Sequence, residues 1–264
     1  MMCPYKDLDC PYVDTAGMSK LKECSVCEHN TRRIGLVILC TGKYDRFLQP
    51  LIDSAEDWFF KGEEYDIYLF TDAPNRLLKA QRASIFPVAV EHKPFPYIAM
   101  DRYKFISEYD FRADYLFYID VDMRFVGEVG AEILPRDKDL VATRHPGFWK
   151  HGWGSKKTHS ASVAYVPPSK WYGYACGAFE GGTREGFVKA SRDMWGNILR
   201  DVEKAAEIGH EGLLVDMADE TYWNAYIKEH PVHLLPPSYC YPETWHIPFE
   251  KKILALKKNL REVR

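Results

Sequence analysis

The run Leu116-Phe-Tyr-Ile119 carries no charged side chain and stops abruptly at Asp120-Val-Asp122. A short apolar run rich in aromatic and branched residues reads as a buried strand. Two further runs precede it, Ile34-Gly-Leu-Val-Ile-Leu-Cys40 and Asp66-Ile-Tyr-Leu-Phe-Thr-Asp72. Between the first two, Phe47, Leu51, Ile52, Ala55, Trp58 and Phe59 recur at helical spacing, after a turn at Thr41-Gly-Lys-Tyr44. Residues 76–83 read as a helix, Ile85 to Val90 as a strand, and Met100 to Tyr109 as the helix leading into Leu116–Ile119. Strand and helix therefore alternate up to about residue 125, which predicts an α/β fold with a parallel sheet covered on both faces.

Asp120 and Asp122 close the last of these strands. Residues i and i+2 of an extended segment point to one side, so both carboxylates can converge on one hard cation that also takes phosphate oxygens. Ligands in open α/β sheets bind at the carboxyl ends of strands. The pair thus predicts a divalent metal holding the diphosphate of a nucleotide sugar. The competing reading is a strand end solvated by two acids.

The chain has 264 residues, enough for one large domain, with 46% hydrophobic and 28% charged residues and a net charge of −3. That charge gives no reason to expect nucleic acid. No stretch approaches the ~18 apolar residues that span a bilayer, and the start lacks the apolar core of a signal peptide. A soluble, cytoplasmic protein is expected. Residues 251–264 hold six basic side chains against Glu262, either a solvated helix or a tail that closes over phosphate.

Four of the seven cysteines, Cys3, Cys10, Cys24 and Cys27, lie in a polar prefix, residues 1–31. The Cys24-x-x-Cys27 spacing fits a structural zinc (Zn2+) knuckle. A disulfide pair, disfavoured in a cytosolic setting, and unliganded thiols are the alternatives, and a docking element for protein or nucleic acid is a further reading of this prefix. Cys40, Cys176 and Cys240 sit in apolar contexts and read as packing residues. Beyond Phe125 the pattern becomes irregular. Short strands are expected at Leu140 to Thr143 and Ser162 to Val166, long helices at Arg184 to Gly209 and Glu220 to Glu229, and a last strand at His233 to Leu235.

Several separated blocks occur in a characteristic order. They are Phe70-Thr-Asp-Ala-Pro74, Asp120-Val-Asp-Met-Arg-Phe125, His145-Pro-Gly-Phe-Trp149, Ala164-Tyr-Val-Pro167, Cys176-Gly-Ala-Phe-Glu-Gly-Gly182, Asp219-Glu-Thr-Tyr-Trp-Asn224 and Lys258-Asn-Leu-Arg-Glu-Val-Arg264. In these blocks, across about residues 33–264, the chain resembles glycosyltransferase family 6, the retaining α1,3-transferases of the blood-group A and B type and the α1,3-galactosyltransferases. The resemblance implies a GT-A fold. It implies a nucleotide-binding half at residues 32–125, an acceptor half at 126–250 and a basic tail at 251–264 over the diphosphate. The family lacks the Cys-rich prefix, and its animal members carry a membrane anchor. The resemblance therefore points to a microbial or viral-type member without one.

Residue by residue, the resemblance implies that Tyr44 packs on uracil and that Arg102 meets the donor sugar and the aspartate cluster. It makes Asp120 and Asp122 ligands of Mn2+ or Mg2+ that bridges to UDP. His145, Trp149 and Asp219 become acceptor contacts, for an oligosaccharide ending in β-galactose, fucosylated in many members. Cys176-Gly177-Ala178 aligns with the tripeptide that separates galactose from N-acetylgalactosamine donors, and Ala178 leans towards UDP-galactose. Glu220 becomes the catalytic carboxylate, nucleophile or stabiliser of a retaining transfer. Lys258 and Arg264 become a diphosphate clamp. Met217 and Ala218 depart from the family's aromatic and histidine. Without the family, Asp219 and Glu220 would read as acids favoured at a helix start. The other classes weighed are a nucleotide-sugar hydrolase or pyrophosphorylase and a carbohydrate-binding module.

Overall fold

The computed structural model describes residues 32–150, 158–170, 172–210, 212–216 and 218–263. The expectations for Cys3, Cys10, Cys24, Cys27 and Arg264 lie outside the described residues. Seven strands form the main sheet, in the order β3-β2-β1-β4-β7-β6-β8. They are β1 (Ile34–Cys40), β2 (Tyr65–Thr71), β3 (Ala83–Ala89), β4 (Tyr115–Asp120), β6 (Leu140–Arg144), β7 (Ala175–Thr183) and β8 (Val232–Leu235). All neighbouring pairs are parallel except those of β7, which runs antiparallel to both β4 and β6. The α/β expectation holds: a large, mostly parallel central sheet lies between helices.

Period-2 alternation divides the core in two. Ile34, Leu36 and Ile38 of β1 face α1 (Asp45–Trp58), against Leu48, Leu51, Ile52 and Ala55. Val37 of β1 and Leu116 and Tyr118 of β4 face the opposite layer. That layer is built by α2 (Tyr97–Glu108), α3 (Arg184–Glu207) and α4 (Ala218–Ile227), through Tyr103, Phe187, Met194 and Trp223. Burying each such large apolar side chain stabilises the fold by roughly 1.5–3 kcal/mol, which is why the uninterrupted apolar runs settle at the centre. Gly181 is where β7 meets β4 most closely: a Cβ there would lie 2.2 Å from the Leu116 carbonyl oxygen.

Two expected elements are corrected. Residues 76–80 form no helix. Side chains of α1 take the amides a helix would have used: Gln49 accepts from the Lys79 N–H at 3.0 Å, and Glu56 from those of Gln81 and Arg82 at 2.9 and 2.8 Å. Ser162 to Val166 is a turn, not a strand. Buried Asp201 of α3 accepts from the Ser162 hydroxyl at 2.5 Å and the Val163 N–H at 2.9 Å, which curls this stretch onto the helix.

A second, three-stranded sheet joins β5 (Met123–Phe125), β10 (Ile253–Ala255) and β9 (Tyr241–Pro242) in the order β5-β10-β9. β5 starts one residue after Asp122. Its antiparallel partner β10 carries the chain end back to that point, where the Leu256 N–H donates to the Asp122 carbonyl at 3.1 Å.

Arg82 closes the open end of α1. Its guanidinium donates to the carbonyls of Ala55, Phe59 and Phe60 at 3.1, 3.1 and 3.0 Å and also to Glu56. The Glu56 carbonyl lies in the last turn and the Phe59 carbonyl just beyond it, where a helix end leaves carbonyls short of partners, while those of Ala55 and Phe60 also accept from the Phe59 and Glu63 N–H at 2.9 Å. Arg82→Met is expected to lower unfolding free energy by about 3 kcal/mol, read from urea denaturation. A change within about 0.5 kcal/mol, the usual range for surface substitutions, would contradict the role.

Candidate active site

A cavity of about 500 Å3 opens where β1 and β4 end. Its wall is assembled from Tyr44, Asp120, Asp122, His145, Cys176, Gly177, Ala178, Asp219, Glu220 and Lys258, together with His92 to Phe95, Ile98 and Ala99. Residues far apart in sequence thus meet at the carboxyl ends of strands.

Arg102, on α2, is the hub. It is 2% exposed. Its Nη2 stands 3.0 Å from Asp219 and 3.4 Å from Glu180, and its Nη1 3.7 Å from Asp120. Nη1 also donates to the Gly177 carbonyl at 2.9 Å, and the guanidinium lies 4.3 Å from the ring centre of Tyr118. Burial opposes its charge, but the rings and carboxylates around it prevail and raise its pKa.

Gly177 is reachable because β7 is irregular. Between Ala142 and Thr143 of β6, the partner on β7 jumps from Glu180 to Cys176. A bulge of this kind releases backbone groups from the ladder. Here the Gly177 carbonyl turns to Arg102, and its N–H donates to Glu220 Oε2 at 3.2 Å. A Cβ at Gly177 would lie 2.8 Å from Arg102 Nη2 and 3.2 Å from Asp219, so the close approach requires glycine.

Asp219 and Glu220 stand in the first turn of α4. Glu220 reaches the residue just before β7, where its Oε1 accepts from the Tyr174 hydroxyl at 2.7 Å. Asn224 fixes the distance: it accepts from the Ala175 N–H at 2.8 Å and donates to the Ala175 carbonyl at 2.7 Å. Burial, then the charges of Asp120 and Glu220, push Asp219 up to about 6 against the opposing pull of Arg102. Burial does the same to Glu180, up to about 8.

Asp120 and Asp122 both reach the cavity, but not as two positions of one extended strand. β4 ends at Asp120, and Val121 and Asp122 form a turn before β5. Asp120 accepts from the Tyr118 hydroxyl at 2.9 Å, while Asp122 is ion-paired with Lys258. Lys258 lies 5.1 Å above the ring of Tyr44. His145 lines the cavity and accepts through Nδ1 from the Gly147 N–H at 2.9 Å. Trp149 does not line it; its ring packs edge-on against Phe249 at 5.3 Å.

Tyr174, Tyr118 and Glu180 were missed from the sequence. Tyr118 lies two residues before Asp120 and shares its side, a signal that was available. Glu180 interrupts an apolar stretch with a charge, and such residues are seldom buried without a partner. Tyr174 left no local mark, because its partner is 46 residues away.

A sequence profile of glycosyltransferase family 6 matches residues 18–264. The chain is 30% identical over 246 residues to globoside alpha-1,3-N-acetylgalactosaminyltransferase 1 of Gallus gallus, covering 88% of this chain and 69% of that one. It is 29% identical over 255 residues to histo-blood group ABO system transferase 2 of Rattus norvegicus, covering 88% and 71%. It is 24% identical over 236 residues to the O-antigen biosynthesis glycosyltransferase WbnI of Escherichia coli, covering 86% and 95%. Profile, relatives, sheet and cavity agree: the chain belongs to glycosyltransferase family 6 and is a hexosyltransferase with a GT-A-like fold.

Proposed function

We propose that the chain moves galactose or N-acetylgalactosamine from a UDP-sugar, with retention and in α1,3 linkage, onto a glycan ending in β-galactose. The observation that carries this reading is the meeting of Asp120, Asp219 and Glu220 in one cavity at the strand ends, with buried Arg102 joining Asp120 and Asp219 from behind. The relatives' names support the donor and linkage: two of the three name α1,3-N-acetylgalactosaminyl or blood-group transfer. The same reading divides the chain into a prefix at 1–31, a nucleotide half at 32–125, an acceptor half at 126–250 and a tail at 251–264.

Among the described residues no group of three or more His, Cys, Asp or Glu side chains could hold a metal. Two carboxylates nonetheless suit Mg2+ or Mn2+, which take one or two carboxylates and the rest of their oxygens from substrate phosphates. Asp120 and Asp122 would hold it, and it would neutralise charge on the departing diphosphate. Lys258 gives up Asp122 for the diphosphate as the donor enters, and Tyr44 offers its face to uracil. Arg102 is the group that meets the donor hexose. Glu220, aimed by the Tyr174 hydroxyl and the Gly177 N–H, stabilises the positive charge that develops at the anomeric carbon, and it is the group on which a covalent glycosyl intermediate would form. His145 and Asp219 receive the acceptor. Among the described residues no helix is long and apolar enough to cross a membrane.

The direct test is a donor-by-acceptor screen with linkage analysis, run with Mn2+, with Mg2+ and with chelator. Transfer that needs metal and acceptor is expected; release of free hexose at the same rate without acceptor would sink the reading in favour of a hydrolase. Glu220→Gln should lower kcat about 10²-fold or more, the scale of a lost electrostatic stabiliser, while UDP affinity holds. Ala178→Gly should move the preference towards UDP-N-acetylgalactosamine by about 10-fold, the scale of one methyl group in a pocket. No movement would remove Ala178 from donor selection. Asp219 is held up to about 6, so protonation takes away its charge as pH falls. kcat/KM should therefore drop as pH falls through about 6, and an acid limb centred at the ordinary 3.8 would contradict the assignment.

A further inference from the structure

Glu180 is the one acid of the Arg102 cluster that does not face the cavity. It lies on β7 between Tyr118 of β4 and Ala142 of β6 and is 0% exposed. Neither carboxyl oxygen has a hydrogen-bond partner, and a cation, Arg102 Nη2, stands 3.4 Å from one of them. Burying a carboxyl here is costly. Packing alone would be served by an apolar side chain, as at the neighbouring Phe179.

The geometry gives the cost a purpose. Asp120 and Asp219 draw the guanidinium towards the cavity, at 3.7 and 3.0 Å. Glu180 meets it from the protein side, at the same nitrogen that Asp219 contacts. That nitrogen also donates to the Tyr103 hydroxyl at 3.1 Å. We propose that Glu180 is a positioning residue for hexose transfer: it holds Arg102 back so that Nη1 stays on the Gly177 carbonyl and Nη2 on Asp219. Gly177 also donates to Glu220, so a shift of Arg102 is passed to the group at the reacting carbon. Burial keeps Glu180 protonated at neutral pH, so glutamine reproduces both its shape and its charge state there.

This inference rests on the transferase reading and is tested apart from it. Transfer by the unaltered chain is established first; without it, the transferase reading fails and not this one. Glu180→Gln, Glu180→Met and Glu180→Asp are then compared by kcat, donor KM, UDP affinity and melting temperature. Glu180→Gln should stay within about 3-fold in kcat, whereas Glu180→Met should lose about 10²-fold, as a small misplacement of a reacting assembly does. UDP affinity should hold, because the nucleotide lies on the side of Tyr44 and Lys258. Should the methionine variant fail to fold, the aspartate variant decides, since its shorter side chain withdraws from Arg102 and should also lose kcat. Melting temperatures that fall with kcat intact in both would make Glu180 a packing residue. A glutamine variant as impaired as the methionine one would also overturn the proposal.

Discussion

One buried cation organises the catalytic end of this protein. Arg102 is almost wholly removed from water, and an uncompensated guanidinium there would cost several kcal/mol. It persists because partners converge on it from three elements: Asp120 at the end of β4, Glu180 and the Gly177 carbonyl on β7, and Asp219 on α4. The pull is reciprocal. Without Arg102, the charges of Asp120 and Asp219 would repel one another at the end of the sheet, and α4 would lose the charge that seats its first turn. A single interaction therefore joins the helix layer, the central strand and the irregular antiparallel strand, and the cavity is what remains between them.

The irregularity of β7 is the second condition. A regular ladder would spend the Gly177 N–H and carbonyl on neighbouring strands. The jump in pairing from Glu180 to Cys176 lets the same peptide units serve Arg102 and Glu220. Antiparallel insertion of β7 into a parallel sheet also brings Tyr174 and Ala175 against Glu220 and Asn224 of α4. Sheet topology and site chemistry are thus one arrangement, with glycine at position 177, where backbone, guanidinium and carboxylate crowd together.

The central strands were legible because their signal is local. An apolar run bounded by polar residues names its own burial, and β1, β2 and β4 lie within a residue or two of their expected limits. The cavity residues Tyr44, Asp120, Asp122, His145, Gly177, Asp219, Glu220 and Lys258, and Arg102 buried behind them, were also within reach, through the order of their motifs. Where the reading failed, the deciding partner was distant. Residues 76–80 have a helix-compatible composition, but Gln49 and Glu56 of α1 take the amides nearby. Ser162 to Val166 has strand-like residues, yet Asp201, 38 residues on from Val163, bends it. Periodicity cannot see a side chain that arrives from elsewhere.

The acids at the start of α4 show which force governs them. A helix N-terminus favours a carboxylate by roughly 0.3–1 kcal/mol, and on that ground alone Asp219 would ionise more easily than in water. It does the reverse. Its rise from 3.8 to about 6 corresponds to about 3 kcal/mol, so burial and the neighbouring charges of Asp120 and Glu220 outweigh the helix and Arg102 together. A carboxylate stabilised only by a helix end would stay ionised and solvated whatever entered the cavity. One kept near the edge of ionisation by crowding responds to what enters: a cation at Asp120 would remove part of the repulsion and favour the ionised form of Asp219.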